Sequence, residues 1–543
     1  MTFRSITHIR ERHYLYEKET YWDDRSRSRK QRVVRYLGPC DKQGNLLAEP
    51  RPRVDHVQSA FPMGRLALFT AIAQELRIVE RAEEMGLDGL VVRHFLCLAL
   101  NQMVDRLARR RLASWVRASP LPTWLSIPSD TLTPTTYDGV LSAVCHHDRI
   151  SRHMDNRGPV LQDAWNRAWR GSSREPAAAY YEITKQRYYG THCSLAQMGH
   201  DSERGLSTVV GFGLVVSREH HHPLFCRPLP GGRNDVITVR ETVKELEAMD
   251  FRGLTMIMDR GMVSEENVND VVEAGYHQVG IVRAIDREKP KGAWGYLARW
   301  PGKELERSRW LVKRPTGEGL YARAFTAPLY GRPLRLTVVE APEWRTEEKS
   351  ARDLLLWELE GGSVPDERRP YLRQLLKPVV RKARGRWGFE ADRKAVGEEE
   401  ARDGRFLMFS TNLSLEASEM FRMYFERDVV EKCFRTAKGE LDLGPIHVRR
   451  EDRLEAYATV IYLALLLWTW GERRLKEALP RMPQKFRKKY PSLTLWEALR
   501  LLDGVSWVRF ASGKRVRDWT TQLNSDQEAL YRALGVTRLL PVT

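Results

Sequence analysis

Four side chains late in the sequence have the types and the spacing that chemistry on a phosphodiester requires. Tyr424, Arg427, Glu431 and Lys438 follow one another at intervals of three, four and seven residues. On a helix, which turns about 100° per residue, these side chains fall within an arc of roughly 60°. Apolar residues fill the remaining arc, so the helix could bury one side and present the four side chains outward. One carboxylate flanked by two cations and a phenol suits a metal ion and a phosphate group.

A second candidate carboxylate is Asp259. It follows the apolar segment Leu254–Met258 and precedes Arg260 and Gly261, which predicts a sharp strand-to-helix turn. Reactive groups collect at such strand ends in open α/β sheets. Two divalent cations about 4 Å apart can activate an attacking oxygen and stabilise a leaving oxygen. Because Mg²⁺ prefers hard oxygen ligands and keeps several waters, three carboxylates from distant segments could hold such a pair.

The elements that would position these acids follow a recognisable order. Residues 177–284 contain strand candidates at Ala178–Thr184, Thr208–Ser217, Pro223–Leu229, Leu254–Asp259 and Gln278–Arg283. Asn234 or Asp235 is expected to cap a helix that runs to about Met249, and Ser264 is expected to cap another that stops at Gly275. Three strands, then helix, strand, helix and strand, is the order of an RNase H-like sheet.

The flanking segments have other patterns. His13–Trp22 and Gln31–Leu37 predict a β-hairpin with a basic tip, which could contact DNA or be a solvated loop. Apolar residues at helical spacing predict helices from Met63 to about His153. A run of basic residues predicts a further helix, which could grip a phosphate backbone or simply be solvated; its members are Arg368, Arg369, Arg373, Lys377, Arg381, Lys382, Arg384 and Arg386.

We therefore predict an α/β protein with an RNase H-like mixed sheet, an inserted domain, a β-hairpin and helical N-terminal region, and a mainly helical C-terminal region. The predicted division is a hairpin module (1–55), a helical and DNA-binding region (56–176), a first part of the core (177–287), an insertion (288–402), a second part of the core (403–479) and a C-terminal region (480–543). Strand-like segments at Tyr321–Thr326 and Leu334–Glu340 belong to the insertion, and the sheet resumes at Phe406–Thr411.

Composition narrows the class of protein. The 543 residues contain 89 Lys and Arg against 71 Asp and Glu, a formal charge of +18. Such a surface favours a polyanion, most commonly nucleic acid, although a merely basic soluble protein has the same composition. The six cysteines lack zinc-site spacing, which indicates reduced thiols in the cytoplasm. The apolar run from Val460 to Trp470 is too short for a membrane span and predicts a buried helix. ATP is not expected, because the phosphate-binding loop motif is missing.

The chain resembles the DDE transposases of bacterial insertion sequences, specifically the group with the Tyr-x2-Arg-x3-Glu-x6-Lys signature. Tyr424, Arg427, Glu431 and Lys438 match that signature position for position. Asp259-Arg260-Gly261-Met262 resembles the second acidic motif of the group. Pro230-Gly231, followed by Asp235 and Thr238, is similar to its Gly-Asn-x-x-Asp turn, with Gly232 where Asn is usual.

The resemblance also indicates the third acid. The first acid of the family is an Asp in a Tyr-Asp-x-Thr strand, and the matching stretch here is Tyr181-Glu182-Ile183-Thr184. Glu replaces Asp, and its extra methylene moves the carboxylate by about 1.5 Å, against a tolerance of roughly 0.5 Å in a catalytic site. Alternation places Glu182 and Thr184 on one face of the strand. An ordinary exposed Glu would give the same pattern.

The resemblance implies that Glu182, Asp259 and Glu431 are the catalytic residues and the ligands of two Mg²⁺ ions, for which Mn²⁺ can substitute. It implies that Tyr424, Arg427 and Lys438 contact DNA phosphates near the cleaved end. The expected partners are double-stranded DNA, as terminal inverted repeats and as target, and a second copy in a homodimer on DNA, with no membrane. The expected location is the cytoplasm, in association with the nucleoid.

Two other functions fit the sequence. A catalytically inactive or domesticated descendant of a transposase would only bind DNA, and Glu182 is the residue that distinguishes this alternative. An RNase H-like nuclease without transfer activity would cleave DNA but never join the ends.

Overall fold

The computed structural model describes residues 2–9, 12–24, 26–47, 56–148, 153–170, 176–190, 193–200, 205–232, 235–282, 293–297, 299–300, 310–313, 319–360, 375–381, 386–440, 446, 448–512 and 515–539. The strands in chain order are β1 (Thr2–Ile9), β2 (Arg12–Asp23), β3 (Ser28–Cys40), β4 (His56–Pro62), β5 (Cys145–His147), β6 (Met154–Asn156), β7 (Ala178–Arg187), β8 (Gln197–His200), β9 (Leu206–Ser217), β10 (Pro223–Pro230), β11 (Thr255–Met258), β12 (His277–Ile281), β13 (Trp310–Lys313), β14 (Gly319–Leu329), β15 (Arg332–Glu340), β16 (Leu376–Arg381), β17 (Arg386–Ala391), β18 (Arg405–Ser410), β19 (Ser506–Ser512) and β20 (Arg515–Thr520).

The helices in chain order are α1 (Gly64–Glu75), α2 (Ile78–Glu84), α3 (Gly89–Val104), α4 (Arg109–Ala118), α5 (Leu121–Trp124), α6 (Thr136–Val144), α7 (Gly158–Arg170), α8 (Val239–Ala248), α9 (Glu265–Glu273), α10 (Ala293–Leu297), α11 (Pro342–Glu360), α12 (Arg393–Glu400), α13 (Ala417–Phe425), α14 (Asp428–Arg435), α15 (Glu451–Ala478), α16 (Gln484–Lys489), α17 (Leu495–Leu502) and α18 (Ser525–Ala533).

The largest sheet contains the predicted core. Its strand order is β10-β9-β7-β11-β12-β18-β15-β14-β13, with β8 on β9. Strand β9 is antiparallel to both β10 and β7, and β11 is parallel to both β7 and β12. Strands β7, β9 and β10 form an antiparallel set, and β11 and β12 continue the sheet in parallel on the other side of β7. This is the RNase H-like arrangement, so the predicted mixed α/β fold is confirmed.

Among the described residues, three hydrophobic cores pack against this sheet, and two of them lie on opposite faces of β7 and β11. Tyr180 on β7 and Ile257 on β11 point into the larger core, which also contains the buried side of α15. Tyr181 and Met258 point into a smaller core that contains residues of α8. Because successive strand residues alternate between faces, the position after Tyr181 and the position after Met258 return to the face of the larger core.

The helices around the sheet begin and end partly as predicted. Ser264 Oγ accepts a hydrogen bond from the Asn267 amide (3.1 Å), which confirms Ser264 as the cap of α9. The predicted start of α8 is wrong, because a 3₁₀ turn at Asp235–Thr238 precedes it and the helix begins at Val239. Asn234 lies outside the described residues.

The strands predicted in the insertion are confirmed as parts of β14 and β15. Both belong to the main sheet, because β15 pairs with β18. The predicted basic helix is wrong where it is described, since β16 and β17 form an antiparallel hairpin there. Aromatic and β-branched residues such as Val379, Val380 and Trp387 favour strands over a helix. Arg368, Arg369, Arg373, Lys382 and Arg384 lie outside the described residues.

The predicted core helix around Val460 is confirmed within α15. Among the described residues, it forms the one segment (Glu451–Arg481) that is long and apolar enough to cross a membrane, but 89% of its most apolar window is buried inside the protein. At the N-terminus, the predicted hairpin is confirmed as β2 and β3, and β1 adds a third strand. All six cysteines are buried free thiols. The predicted domain boundaries stay predictions.

Candidate active site

Glu182 and Asp259 lie side by side on neighbouring strands. The parallel register of β7 and β11 pairs Tyr181 with Met258, so the next positions along the two strands are Glu182 and Asp259. Neighbouring strands are roughly 5 Å apart, and residues at the same register point to the same face. Two of the three predicted acids therefore meet, although 77 positions separate them in the sequence (259 minus 182).

Local chemistry fixes the Asp259 carboxylate at the strand end. Asp259 precedes the 3₁₀ turn Arg260–Met262, and its Oδ2 atom accepts a long hydrogen bond from the Gly261 amide (3.5 Å). An aspartate at the start of such a turn satisfies a backbone donor that the turn leaves open. The strand-to-helix turn predicted at this residue is confirmed.

Arg427 binds the Asp259 carboxylate directly. Its Nη1 atom donates a hydrogen bond to Asp259 Oδ1 and forms an ion pair with it. The guanidinium carbon lies 5.2 Å from the centre of the Tyr424 ring, and Nη1 is 3.4 Å from the Tyr424 hydroxyl. Two residues of the signature thus contact each other and hold the cation against the second acidic motif.

This contact shifts the pKa of both partners. Burial favours the neutral form of Asp259, but the hydrogen bond and the charge of Arg427 outweigh it and lower the pKa of the carboxyl group. Burial likewise acts against charge on Arg427, yet Asp259, Tyr424 and Glu182 together raise the pKa of the guanidinium. The influence of Glu182 on Arg427 places both carboxylates in the field of one cation.

The signature does not lie on one continuous helix, which corrects the prediction. Helix α13 ends at Phe425, α14 begins at Asp428, and Lys438 lies in a wider π turn, Thr436–Glu440. Tyr424 is 5% exposed and packs in the larger core, so the expectation that it faces outward is wrong. The four side chains would share a 60° arc only on an uninterrupted helix, and the break at residues 426 and 427 interrupts it.

Arg218 holds the break in place, and the sequence analysis missed it. It follows β9 and binds Glu426 Oε2 through Nη2 (2.8 Å) and Glu419 Oε1 through Nη1 (2.5 Å). Glu426 therefore pairs with the end of one strand while the next residue, Arg427, pairs with the end of another. Arg218 has no motif of its own, and only the pairing of distant acids reveals it.

Glu431 is not grouped with the other two acids in this structure. It is exposed on α14, whose apolar side packs in the larger core on the face where Glu182 and Asp259 emerge. Within the described part of the chain, no group of three or more His, Cys, Asp or Glu is close enough to hold a metal ion. The structure thus brings two predicted ligands together and does not bring in the third. The side chain of Lys438 is not among those that the structure describes.

The glycine turn after β10 packs tightly against β9. A Cβ on Gly231 would lie 1.8 Å from the Val209 carbonyl oxygen, so only glycine fits there. In the 3₁₀ turn that follows, the Thr238 hydroxyl accepts a hydrogen bond from the Tyr181 hydroxyl (2.9 Å). The turn therefore fixes β7 one residue before Glu182.

The donor set is chemically suited to a hard divalent cation. Glu182 and Asp259 offer carboxylate oxygens on one face, and Asp259 is held in its ionised form. Arg427 shows that a positive charge is already favourable at this position. Carboxylate oxygens are the ligands that Mg²⁺ prefers.

Comparison with known proteins identifies the family. A family model described as "Transposase DDE domain" matches residues 191–467, slightly more than half of the chain. The match includes Asp259, Arg427 and Glu431 but begins after β7, so Glu182 lies outside it. Members of this family generally use divalent metal ions.

A comparison with curated proteins finds no match. Among solved structures, the chain is similar to the piggyBac transposase in a cryo-EM structure of its synaptic complex with hairpin DNA. The TM-score is 0.36 and the identity 12%, over 88% of this chain and 85% of that chain. The family assignment rests on the match to the family model and on the RNase H-like strand order, and by these the chain belongs to the DDE transposases.

Proposed function

We propose that this protein is the transposase of a bacterial insertion sequence, which binds the ends of its element and catalyses DNA cleavage and strand transfer. The observation that carries the proposal is the pairing of Glu182 with Asp259 on adjacent strands under the Arg427 cation. Two carboxylates and a guanidinium on one face of the sheet match the needs of a phosphoryl-transfer site.

Glu182, Asp259 and Glu431 would hold two Mg²⁺ ions, with Mn²⁺ as a substitute. When bound, such a pair of ions supplies an activated attacking oxygen and stabilises the leaving oxygen. Glu431 would complete the set from the neighbouring helix, where its exposed side chain is free to reorient. In the DNA-bound state the Glu431 side chain would therefore have moved toward Glu182 and Asp259.

The cations of the signature would act on the DNA. Arg427 can donate two hydrogen bonds in its planar fork, so it can transfer one from Asp259 to a phosphoryl oxygen while it stays near the site. The Tyr424 ring would keep the Arg427 guanidinium close to the acids, because the ring packs against the guanidinium. Lys438 would contact a phosphate near the cleaved end.

The partners follow from the charge and the family. A formal charge of +18 suits double-stranded DNA, as terminal inverted repeats and as target, and a homodimer would pair two ends. The protein would act in the cytoplasm on the nucleoid.

A nicking assay tests this function. The substrate is a labelled duplex carrying the inverted repeats that flank the gene, incubated with Mg²⁺ or with EDTA. We expect Mg²⁺-dependent nicks and joined products with the wild type. Glu431→Ala should lose both by at least about 10²-fold. Glu273→Ala is the control that should retain cleavage, because Glu273 is exposed on α9, whose Val271 packs in the smaller core on the other face of the sheet.

Glu182→Asp separates the proposed function from the alternatives. The shorter side chain withdraws the carboxylate by about 1.5 Å, so in an active enzyme it should lower the rate. An inert wild type with an active Glu182→Asp variant would mean that the protein has become a DNA-binding descendant. Nicks without joined products would mean a nuclease that lacks transfer activity.

A further inference from the structure

The sheet of β1, β2 and β3 has two faces that differ in chemistry. Side chains alternate along each strand, and residues paired across strands point the same way. Tyr16 pairs with Tyr36, and Trp22 pairs with Arg29, so these four side chains share one face. We call this the aromatic face. It contains Tyr14, Tyr16, Lys18, Trp22, Arg29 and Tyr36, and also Phe3 and Val33, which pair with Lys18 from the two neighbouring strands.

The tyrosines of the aromatic face form a cluster open to solvent. The ring centres of Tyr16 and Tyr36 are 5.2 Å apart, and those of Tyr14 and Tyr36 are 6.2 Å apart. Tyr36 is 41% exposed and Trp22, further along β2, is 57% exposed. An exposed group of large aromatic side chains on a soluble protein marks a binding surface.

The opposite face carries the acidic residues of the three described strands. Glu17, Glu19 and Asp23 alternate with the aromatic positions of β2 and so point the other way. Glu19 forms an ion pair with Arg32, and Asp23 forms one with Lys30. The acids and their cations thus neutralise one another away from the aromatic face.

The aromatic face keeps two cations and, within the described strands, no acid. Lys18 lies between Tyr16 and Trp22 along β2, and Arg29 lies opposite Trp22 on β3. Along β2 the strip from Tyr16 to Trp22 spans roughly 20 Å at the rise of a strand. Flat rings and positive charges therefore alternate over a length of several nucleotides.

This combination favours one kind of partner. Unpaired bases stack on aromatic rings while cations bind the phosphates between them, a mode that tolerates any sequence. In a duplex the flat faces of the bases are already stacked on each other. A second copy of this chain, docked through the same face about a two-fold axis, would bring the positive charges of both copies into one interface that has no acid from this face of the described strands to pair with them.

We propose that the aromatic face binds single-stranded nucleic acid, with bases stacked on Tyr16, Tyr36 and Trp22 and phosphates against Lys18 and Arg29. This surface is separate from the acids of the DDE site and does not require cleavage activity. Unpaired strands at a DNA end are one source of such a ligand.

The test is fluorescence anisotropy of the full-length protein with a labelled thymidine oligonucleotide and with a duplex of equal length. The double variant Tyr16→Leu/Tyr36→Leu keeps apolar bulk but removes the rings, and we expect it to weaken oligonucleotide binding about tenfold or more. Tyr21→Leu is the matched control, because Tyr21 is 40% exposed on the opposite face. Its affinity should change less than about twofold.

A second variant tests the charge without touching the rings. Lys18→Glu should weaken oligonucleotide binding and reduce the slope of log affinity against log salt by about 0.7, the effect of one phosphate contact on a single strand. Circular dichroism of each variant checks that the sheet is intact. The Mg²⁺-dependent nicking of duplex ends should be unchanged, which separates this proposal from the proposed function.

Several results would overturn the proposal. These are a wild type that does not bind the oligonucleotide, equal losses in Tyr21→Leu and the double variant, and a double variant that loses duplex binding alone. Light scattering adds another: if the double variant changes only from dimer to monomer, the aromatic face is a contact between copies.

Discussion

The Arg427 guanidinium donates a hydrogen bond to the Asp259 carboxylate across a separation of 168 residues. This ion pair joins the helix signature to the second acidic motif and keeps Asp259 ionised. It links the two regions of the sequence that the DDE resemblance identified separately.

Replacing Arg427 by Gln should destabilise the metal-free protein near pH 7 and much less at low pH. The pair lowers the pKa of Asp259 below its ordinary value of 3.8. Its stabilisation is therefore present above about pH 4 and is lost as pH falls through the lowered pKa. We expect the difference in Tm between wild type and Arg427→Gln, measured in EDTA, to shrink from pH 7 to about pH 3.

Arg422→Gln is the control for this pair. Arg422 is 57% exposed and pairs with Glu419 at 3.1 Å on the surface of α13. Such a pair contributes about 0.2–0.5 kcal/mol, so its loss should hardly change Tm. A Tm difference for Arg427→Gln that stays constant across pH would show that the substitution acts through packing instead of charge.

Asp403→Asn should strongly destabilise the protein, because it breaks a buried ion pair. Two parallel hydrogen bonds of 2.6 Å join the Asp403 carboxylate to the guanidinium of Arg352, whose side chain is fully buried on α11. Removing one partner of a buried pair costs about 3–5 kcal/mol. Glu400, 3.7 Å from the Arg352 guanidinium, is too distant for a hydrogen bond and compensates only part of the lost charge. Thermal unfolding should show a Tm lower by several degrees.

Asp353→Asn provides the comparison for Asp403. Asp353 lies on the same helix as Arg352, is exposed, and is 3.8 Å from Lys349. Its substitution should change the free energy of unfolding by less than about 1 kcal/mol. Equal losses for both substitutions would contradict the burial argument.

Glu455→Gln should stabilise the protein at high pH. Burial on α15 raises the pKa of Glu455 from 4.5 to about 7, and the charge of Glu451 adds to this while Arg227 opposes it. Between those two pH values the folded state binds more protons than the unfolded state, so stability falls as pH rises. Gln keeps an acceptor for the Asn156 amide, which is 3.1 Å from Glu455 Oε2.

The measurement is Tm against pH for Glu455→Gln and for wild type. We expect equal stability near pH 4 and an advantage for the variant of up to about 3 kcal/mol above pH 8. Glu477→Gln, at the exposed end of the same helix beside Arg473, is the control and should show no gain at high pH. A pH-independent difference would mean that Glu455 does not titrate in this range.

Lys438→Ala should weaken binding to the element ends and leave the fold intact. One lost phosphate contact lowers the slope of log affinity against log salt by about one unit. Filter binding or anisotropy over a range of salt measures that slope on the duplex ends. An unchanged slope would exclude Lys438 from phosphate contact.

The place of β14 and β15 in the main sheet did not follow from sequence, because it depends on their pairing with each other and with β18. Most strand positions did follow from sequence, because apolar alternation and turn residues are local signals. Asp259 was identified correctly at a strand end for the same reason. The start of α8 and the basic segment around Lys377 were not, since a 3₁₀ turn and a hairpin depend on what packs against them. The periodicity of Tyr424 and Arg427 suggested a single outward stripe, but burial of Tyr424 and the break after Phe425 come from contacts with the sheet.

The sequence alone determined the family, the basic charge and the identity of the candidate acids, because residue type and spacing carry them. The tertiary structure decided which of these meet. Parallel pairing of β7 with β11 put Glu182 beside Asp259, and the ion pair with Arg427 tied the signature to them. Register and long-range pairing depend on the packing of whole elements, and no local pattern encodes them.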